Sequence, residues 1–162
     1  MAYTIRPYRD DDAEALSELT LAAINVVGAH GYSPAQLAAW AAGNHSAASL
    51  RKRVSNGEVI FVAADIDDAP VAYALLEPGG HLDRLYNHPD HTRRGLAGQL
   101  LATAETYAKT RGIARLYTEA SELARPAFER AGYQVTHTRE FSIRHEGQDV
   151  PIHNYAMEKP LD

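Results

Sequence analysis

The sequence predicts a mixed α/β domain, and three observations carry that reading. Apolar runs of strand length, such as "EVIFVAADI" and "VAYALLE", lie between segments whose apolar residues recur at helical spacing. The element order is β, helices, βββ, α, β, α, ββ, which is not a regular βαβ repeat. Within it, strand 81–88, helix 95–111 and strand 115–121 form one βαβ unit, so those two strands should run parallel. The 162 residues, 45% of them apolar, suit one domain with a real core, spanning 1–162.

Tyr3 to Arg6 alternates as a short strand. Asp10, Asp11 and Asp12 offer an N-cap and first-turn acids to a helix over 12–27, whose stripe is Leu16, Leu19, Ala23 and Val27. Ser33 caps a short helix that has Pro34 at its first position and runs through Trp40. Ser46 starts another, ending near Gly57. Strands 58–66 and 71–77 flank the turn "DDAP" and form a hairpin. After Pro78-Gly79-Gly80 comes the strand "HLDRLYNH". The helix over 95–111 carries Leu96, Leu100, Ala104, Tyr107 and Ala108 on one stripe, and Gly112 ends it. "ARLYTEAS" is a strand and "LARPAFERAG" a short helix. Strands 134–144 and 150–158 meet at a Glu146-Gly147 turn.

Net charge is −5, which argues against a general nucleic-acid or membrane-surface protein. With no cysteine there is no disulfide framework, thiolate nucleophile or Cys-based zinc site. The N-terminus lacks a signal-peptide apolar region, and no run approaches the ~18 apolar residues of a membrane span. A cytoplasmic location is the default expectation. His88 and His91 flank Asp90 across a turn, a weak metal pattern, and no metal is expected. No nucleic-acid or membrane partner is expected either.

The stretch "NHPDHTRRGLAGQLL" carries chemistry. The first amides of a helix lack partners within it, and the dipole adds roughly half a positive charge there. Gly95 and Gly98 remove bulk, and Arg93 and Arg94 add charge. That describes a phosphate cradle; ordinary capping beside a solvated surface is the competing reading. Neither GxxxxGK[ST] nor GxGxxG is present. In the preceding strand, alternation puts Leu82 and Leu85 on opposite faces, although both are apolar. A bulge between them would bring both to the core and leave a backbone group unpaired.

These residues resemble the GNAT superfamily of acyl-CoA N-acyltransferases. Thr92-Arg93-Arg94-Gly95-Leu96-Ala97 matches the signature [Q/R]-x-x-G-x-[G/A] after a bulged strand. "SELARPAFERAGY" is similar to N-x-x-A-x-x-F-Y-x-x-x-G-F, and "NYAMEKPL" to the terminal strand of a bacterial subfamily. The resemblance covers essentially the whole chain. It implies a mostly antiparallel central sheet with helices on both faces and a splayed parallel strand pair. It implies acetyl-CoA as co-substrate, with its pyrophosphate on amides from Arg93 to Gly98 and its pantetheine arm along Leu85, Tyr86 and Asn87. Thr92, Ser121, Ala124 and Phe128 complete that implied cofactor site, Thr92 and Ser121 departing from the usual residues. Phe128 stands where the family often has the tyrosine that protonates the leaving thiolate, which leaves Tyr155, Tyr133 or water for that role.

The implied reaction is direct attack of a primary amine, of a small molecule or a peptide, on the thioester. His81 and Asp83 are base candidates on the strand where the family often carries one, and Glu119 is a third. Tyr32 and Trp40 are expected to line the acceptor pocket. A non-catalytic acyl-CoA-binding module and a transferase of another acyl group are the alternatives, and the final hairpin suits pairing into a homodimer.

Overall fold

In the computed structural model, which describes residues 2–162, the predicted elements fall close to their expected places. The strands are β1 (Thr4–Pro7), β2 (Val59–Ala64), β3 (Pro70–Leu76), β4 (Leu82–Asn87), β5 (Arg115–Ala120), β6 (Gln134–His145) and β7 (Gln148–Pro160). The α-helices are α1 (Ala13–Ala22), α2 (Pro34–Ala41), α3 (Ala47–Ser55), α4 (Leu96–Thr110) and α5 (Arg125–Arg130). Two antiparallel sheets, ordered β1-β2-β3-β4 and β5-β7-β6, are joined where β4 and β5 meet in parallel.

Strands β2 and β3 read as continuous apolar runs because both of their faces are covered. Ile60, Val62, Tyr73 and Leu75 turn toward α1 and α3, packing on Leu16, Leu19 and Leu50. Phe61, Ala63, Ala72 and Ala74 turn the other way, toward Leu96, Leu100, Leu101 and Ala104 of α4. Each fully buried leucine there contributes ~1.5–3 kcal/mol, more than any exposed ion pair of the surface. A third cluster, Ile24, Tyr32, Leu37 and Ile152, seats α2 on the second sheet.

Two N-terminal expectations change in detail. Asp10–Asp12 form a short 3-10 turn of their own. Asp12 does not cap α1 with its side chain but is buried in a two-pronged bond with Arg6, at 2.8 and 2.9 Å. The helix expected through residue 27 widens into a π turn over Ala23–Val27 and closes with a 3-10 turn, Gly28–His30. Gly28 is needed at that junction, since a Cβ would stand 2.8 Å from Leu37 Cδ2. Ser33 and Gln36 form the capping box at the start of α2.

Gly80 joins the two sheets. Its φ is +102°, its carbonyl accepts from Tyr117 N at 3.1 Å, and a Cβ would lie 2.4 Å from Arg115 O. Gly80→Ala should therefore cost about 2 kcal/mol or more, from strained backbone and a backbone clash. Thermal unfolding should shift downward by ~4 °C or more; an unchanged melting temperature would show the junction to be soft.

Candidate active site

The site begins with a ladder that stops. Strands β4 and β5 touch at one parallel bridge, His81 to Tyr117. One residue further on, Thr118 Oγ1 donates to Leu82 O at 2.7 Å, so a hydroxyl replaces the next rung. Beyond it the strands diverge. The expected bulge is present: Leu76 pairs with Leu82 and Leu75 with Arg84, leaving Asp83 as the extra residue. Leu82 and Leu85 consequently pack on the same core cluster. His88 N donates to Val71 O at 2.8 Å, and in this register Arg84 and Tyr86 are the other rungs toward β3. By alternation the N–H and C=O of Leu85 and Asn87 face the opening beside β5. Tyr86, grouped with them in the sequence reading, pairs instead with Tyr73 and faces away from that opening.

One cleft, of about 310 Å³, lies at the start of α4 and is bordered by Asn87, Arg93, Gly95, Gly98, Ala127 and Arg130. Arg93 and Gly95 have φ of +59° and +76°, with Arg94 between them outside the left-handed region. That alternation turns successive amides to one side, and a non-glycine residue held there stores ~1–3 kcal/mol of strain. No side chain caps the first amides of α4. A Cβ at Gly95 or Gly98 would meet nothing within 4 Å, so both glycines face open space. Uncapped amides, a 15-residue helix dipole and Arg93 give this end the positive character that a phosphate group would require. Thr92 turns its hydroxyl back to Pro89 O, at 3.3 Å. Leu96 and Phe128 send their side chains into the core, where Phe128 packs edge-on to Tyr133. Ser121 Oγ accepts from Ala124 N at 3.1 Å and so shapes the entry to α5.

A second cleft, of about 350 Å³, is bounded by Tyr32, Trp40, Tyr86, Glu119, Arg139 and Phe141. Tyr32 and Trp40 are thus brought together, their rings 5.5 Å apart and edge-on. The Tyr32 hydroxyl donates to His153 O and accepts from Glu122 N, both at 2.9 Å, tying the turn before α2 to β7 and to the segment after β5.

Carboxylates gather at the base of the divergence. His81 is clamped between Glu77, at Nδ1, and Glu119, 2.8 Å from Nε2, and stacks on Tyr117. Burial works against the imidazolium, but the bonds to Glu77 and Glu119 outweigh it and raise the His81 pKa. Asp83 is held by Arg53 at 2.6 Å, and Arg53 also binds Glu58 at 2.7 Å. Asp83 and Glu119 border the second cleft, whereas His81 lies behind them. Donor atoms of His81, Asp83 and Glu119 lie within 4.8 Å of one another. The Arg53 cation already serves that cluster, which makes it a poor fit for a divalent ion. His88 and His91 do not converge either: His88 Nδ1 accepts from Asp90 N, and His91 Nδ1 bonds the Tyr3 hydroxyl. Tyr155 lies opposite Ala120 with Arg125 over its ring at 4.4 Å, and neighbouring Glu122, with burial, raises its phenol pKa.

Sequence reading missed Ala127, Arg130, Ala102 and Glu105 in the first cleft, and His45, Arg84 and Arg139 in the second. The period of α4 and α5 could have suggested the first group. The second group comes from a loop and two distant strands, so no local pattern joins it.

Residues 29–157 match the family model of an acetyltransferase (GNAT) domain. Over 140 residues the chain is 29% identical to YafP, an N-acetyltransferase of Escherichia coli (strain K12), covering 86% of this chain and 87% of that protein. A solved GCN5-related N-acetyltransferase from Rhodopseudomonas palustris is 31% identical with a TM-score of 0.86, over 99% of this chain and 97% of that one. The PaiA N-acetyltransferase of Thermoplasma acidophilum, solved in complex with coenzyme A, has a TM-score of 0.77 at 22% identity, over 99% and 100% of the two chains; its likeness is one of fold.

The clamp on His81 has a pH signature. A folded pKa raised above the ~6.5 of a free histidine adds stability that is complete below that value. This stability is lost as pH rises through the folded pKa. The melting temperature of the wild type should therefore exceed that of His81→Gln most near pH 6 and by less near pH 9. A gap that stays constant over that range would show that His81 is held neutral.

Proposed function

The chain belongs to the GNAT acetyltransferase family and is an acetyl-CoA-dependent N-acetyltransferase, and on that premise we propose that it acetylates a primary amine of a small molecule or peptide by direct transfer. The amide-lined cleft at α4 takes acetyl-CoA, and the aromatic cleft takes the acceptor. The observation that carries this reading is the shared wall: β4 borders both clefts, with Asn87 in one and Tyr86 in the other. A thioester along the outward groups of Leu85 and Asn87 would lie between the two. The R. palustris relative and the coenzyme A complex of the T. acidophilum protein support the assignment of the cofactor side.

In the proposed reaction the amine nitrogen bonds to the acetyl carbon, the C–S bond breaks, and the ammonium proton passes to the enzyme. Glu119 is the proposed base, because it borders the acceptor cleft and rests on His81 rather than on a permanent cation. His81 holds the Glu119 carboxylate in place, and Asp83, held by Arg53, positions the strand. A carboxylate paired with arginine is a weak base, which argues against Asp83 in that role. Phe128 has no proton for the departing thiolate. Tyr155, whose raised pKa keeps it protonated at neutral pH, is the proposed donor. The demand on it is small, since a thiol titrating near ~8.5, as free cysteine does, leaves readily.

Thiol release from acetyl-CoA across a panel of amines tests the transfer, and Gly98→Glu tests the seat. The added side chain meets open space, so the fold should survive while affinity for coenzyme A by calorimetry falls at least tenfold through bulk and like charge. Unaltered affinity would move the cofactor elsewhere. Glu119→Gln should lower kcat by ~10²–10⁴-fold and remove the acid limb of the pH–rate profile, with coenzyme A binding retained. A wild-type acid limb in that variant would assign the base to another group.

A further inference from the structure

The second cleft holds cations that the proposed transfer does not use. Arg139 of β6 faces it alongside Phe141 and Ile143; its recorded partners are Asn154 Oδ1, at 2.9 Å, and the Phe141 ring. Among the described residues no carboxylate lies within ion-pair distance of it. Arg84 also borders the cleft, with a side chain only 10% exposed. Its Nη2 donates to Asn44 O at 2.8 Å, while Nη1 is buried with no hydrogen-bond partner. Its nearest carboxylate oxygen is Asp83 Oδ2, 3.9 Å from Nε, and that oxygen already serves Arg53 at 2.6 Å. A guanidinium keeps its charge in any protein setting, and burying it without a counter-charge is costly. Acids outnumber Lys and Arg by 21 to 16 in this chain, so the two arginines do not go unpaired for want of carboxylates.

We infer that the acceptor carries a carboxylate as well as its amine, and that Arg84 and Arg139 seat this carboxylate while the amine reaches Glu119. The inference rests on the acceptor assignment above and names its substrate class: an amino acid. Each guanidinium has five N–H donors and one recorded hydrogen bond, so Arg84 and Arg139 together can bracket a carboxylate. His45 is not a third cation. Its Nε2 faces Trp40 O at 3.0 Å, and a carbonyl only accepts, so that nitrogen carries the proton. Burial lowers its pKa, and the remaining Nδ1 is a buried lone pair with no partner. His45 is therefore neutral and leaves the two arginines as the cations of the cleft. Trp40, Phe141, Ile143 and Ile152 supply apolar wall for the rest of the molecule, which favours an amino acid with an apolar or aromatic side chain.

Trp40 is the single tryptophan and borders the cleft, so its fluorescence reports occupancy without turnover. Titration with phenylalanine, leucine and methionine against their methyl esters should give Kd values at least tenfold lower for the acids. The acid-to-ester ratio should collapse toward one in Arg139→Gln, which changes a partly exposed strand residue and should fold, and recover in part in Arg139→Lys. Equal binding of acids and esters by the wild type, or a preference unaffected by Arg139→Gln, would overturn the inference. Turnover separates the two levels. Acetylation of esters and decarboxylated amines but not of acids overturns the carboxylate seat and leaves the transferase standing. Acid-selective binding with no acetylation of any amine upholds the seat and overturns the proposed acceptor reaction.

Discussion

Everything at the site depends on β4 and β5 being held together at one end and kept apart at the other. A parallel pair would ordinarily continue its ladder. Here Gly80 permits a backbone approach that no side chain would tolerate, and Tyr117 N bonds across it. Thr118 then spends its hydroxyl on Leu82 O, and the extra residue Asp83 shifts the phase of β4 against β3. The outward backbone groups of Leu85 and Asn87 are thereby left for a ligand rather than a neighbouring strand. An opening of this kind in the middle of a domain is costly unless something rigid flanks it. The two-sided core does so: α4 packs across one face of β2, β3 and β4, while α1 and α3 cover the other.

The same geometry sets the electrostatics. Strands that meet at the single His81–Tyr117 bridge gather Glu77, Asp83 and Glu119 around His81, where three carboxylates would repel one another without a permanent cation. Arg53, reaching over from α3, binds Asp83 and Glu58, and its guanidinium lies 3.6 Å from Glu77. One helix of the acceptor side thus neutralises the floor of the site. Glu119, outside that reach, is left to share a proton with His81. The cleft at α4 works differently: its polarity comes from unpartnered backbone amides, a helix dipole and Arg93, none of which changes charge near neutral pH.

Much of the fold was legible because its signals are local. The Ser33-Pro34 cap, the Glu146-Gly147 turn, the stripe of α4 and the Leu82/Leu85 conflict that foretold a bulge each depend on residues a few positions apart. The uncapped, glycine-flanked start of α4 was legible for the same reason, as a loop and a helix start are contiguous in the chain. Where local reasoning faltered, a distant contact had intervened. Arg6 drew Asp12 away from capping, and Tyr73 claimed the backbone of Tyr86.

By itself, then, the sequence determined the order and type of the elements, the parallel relation of β4 and β5, and the glycine-flanked helix start that borders the first cleft. Periodicity, caps and glycine positions act over a few residues and survive without knowledge of the rest. Only the tertiary structure decided which side chains share the second cleft. Tyr32, Trp40, His45, Arg84, Glu119 and Arg139 come from two loops, one helix and three strands. Their meeting is set by how two sheets lean on one another, and by which charges find partners on the way.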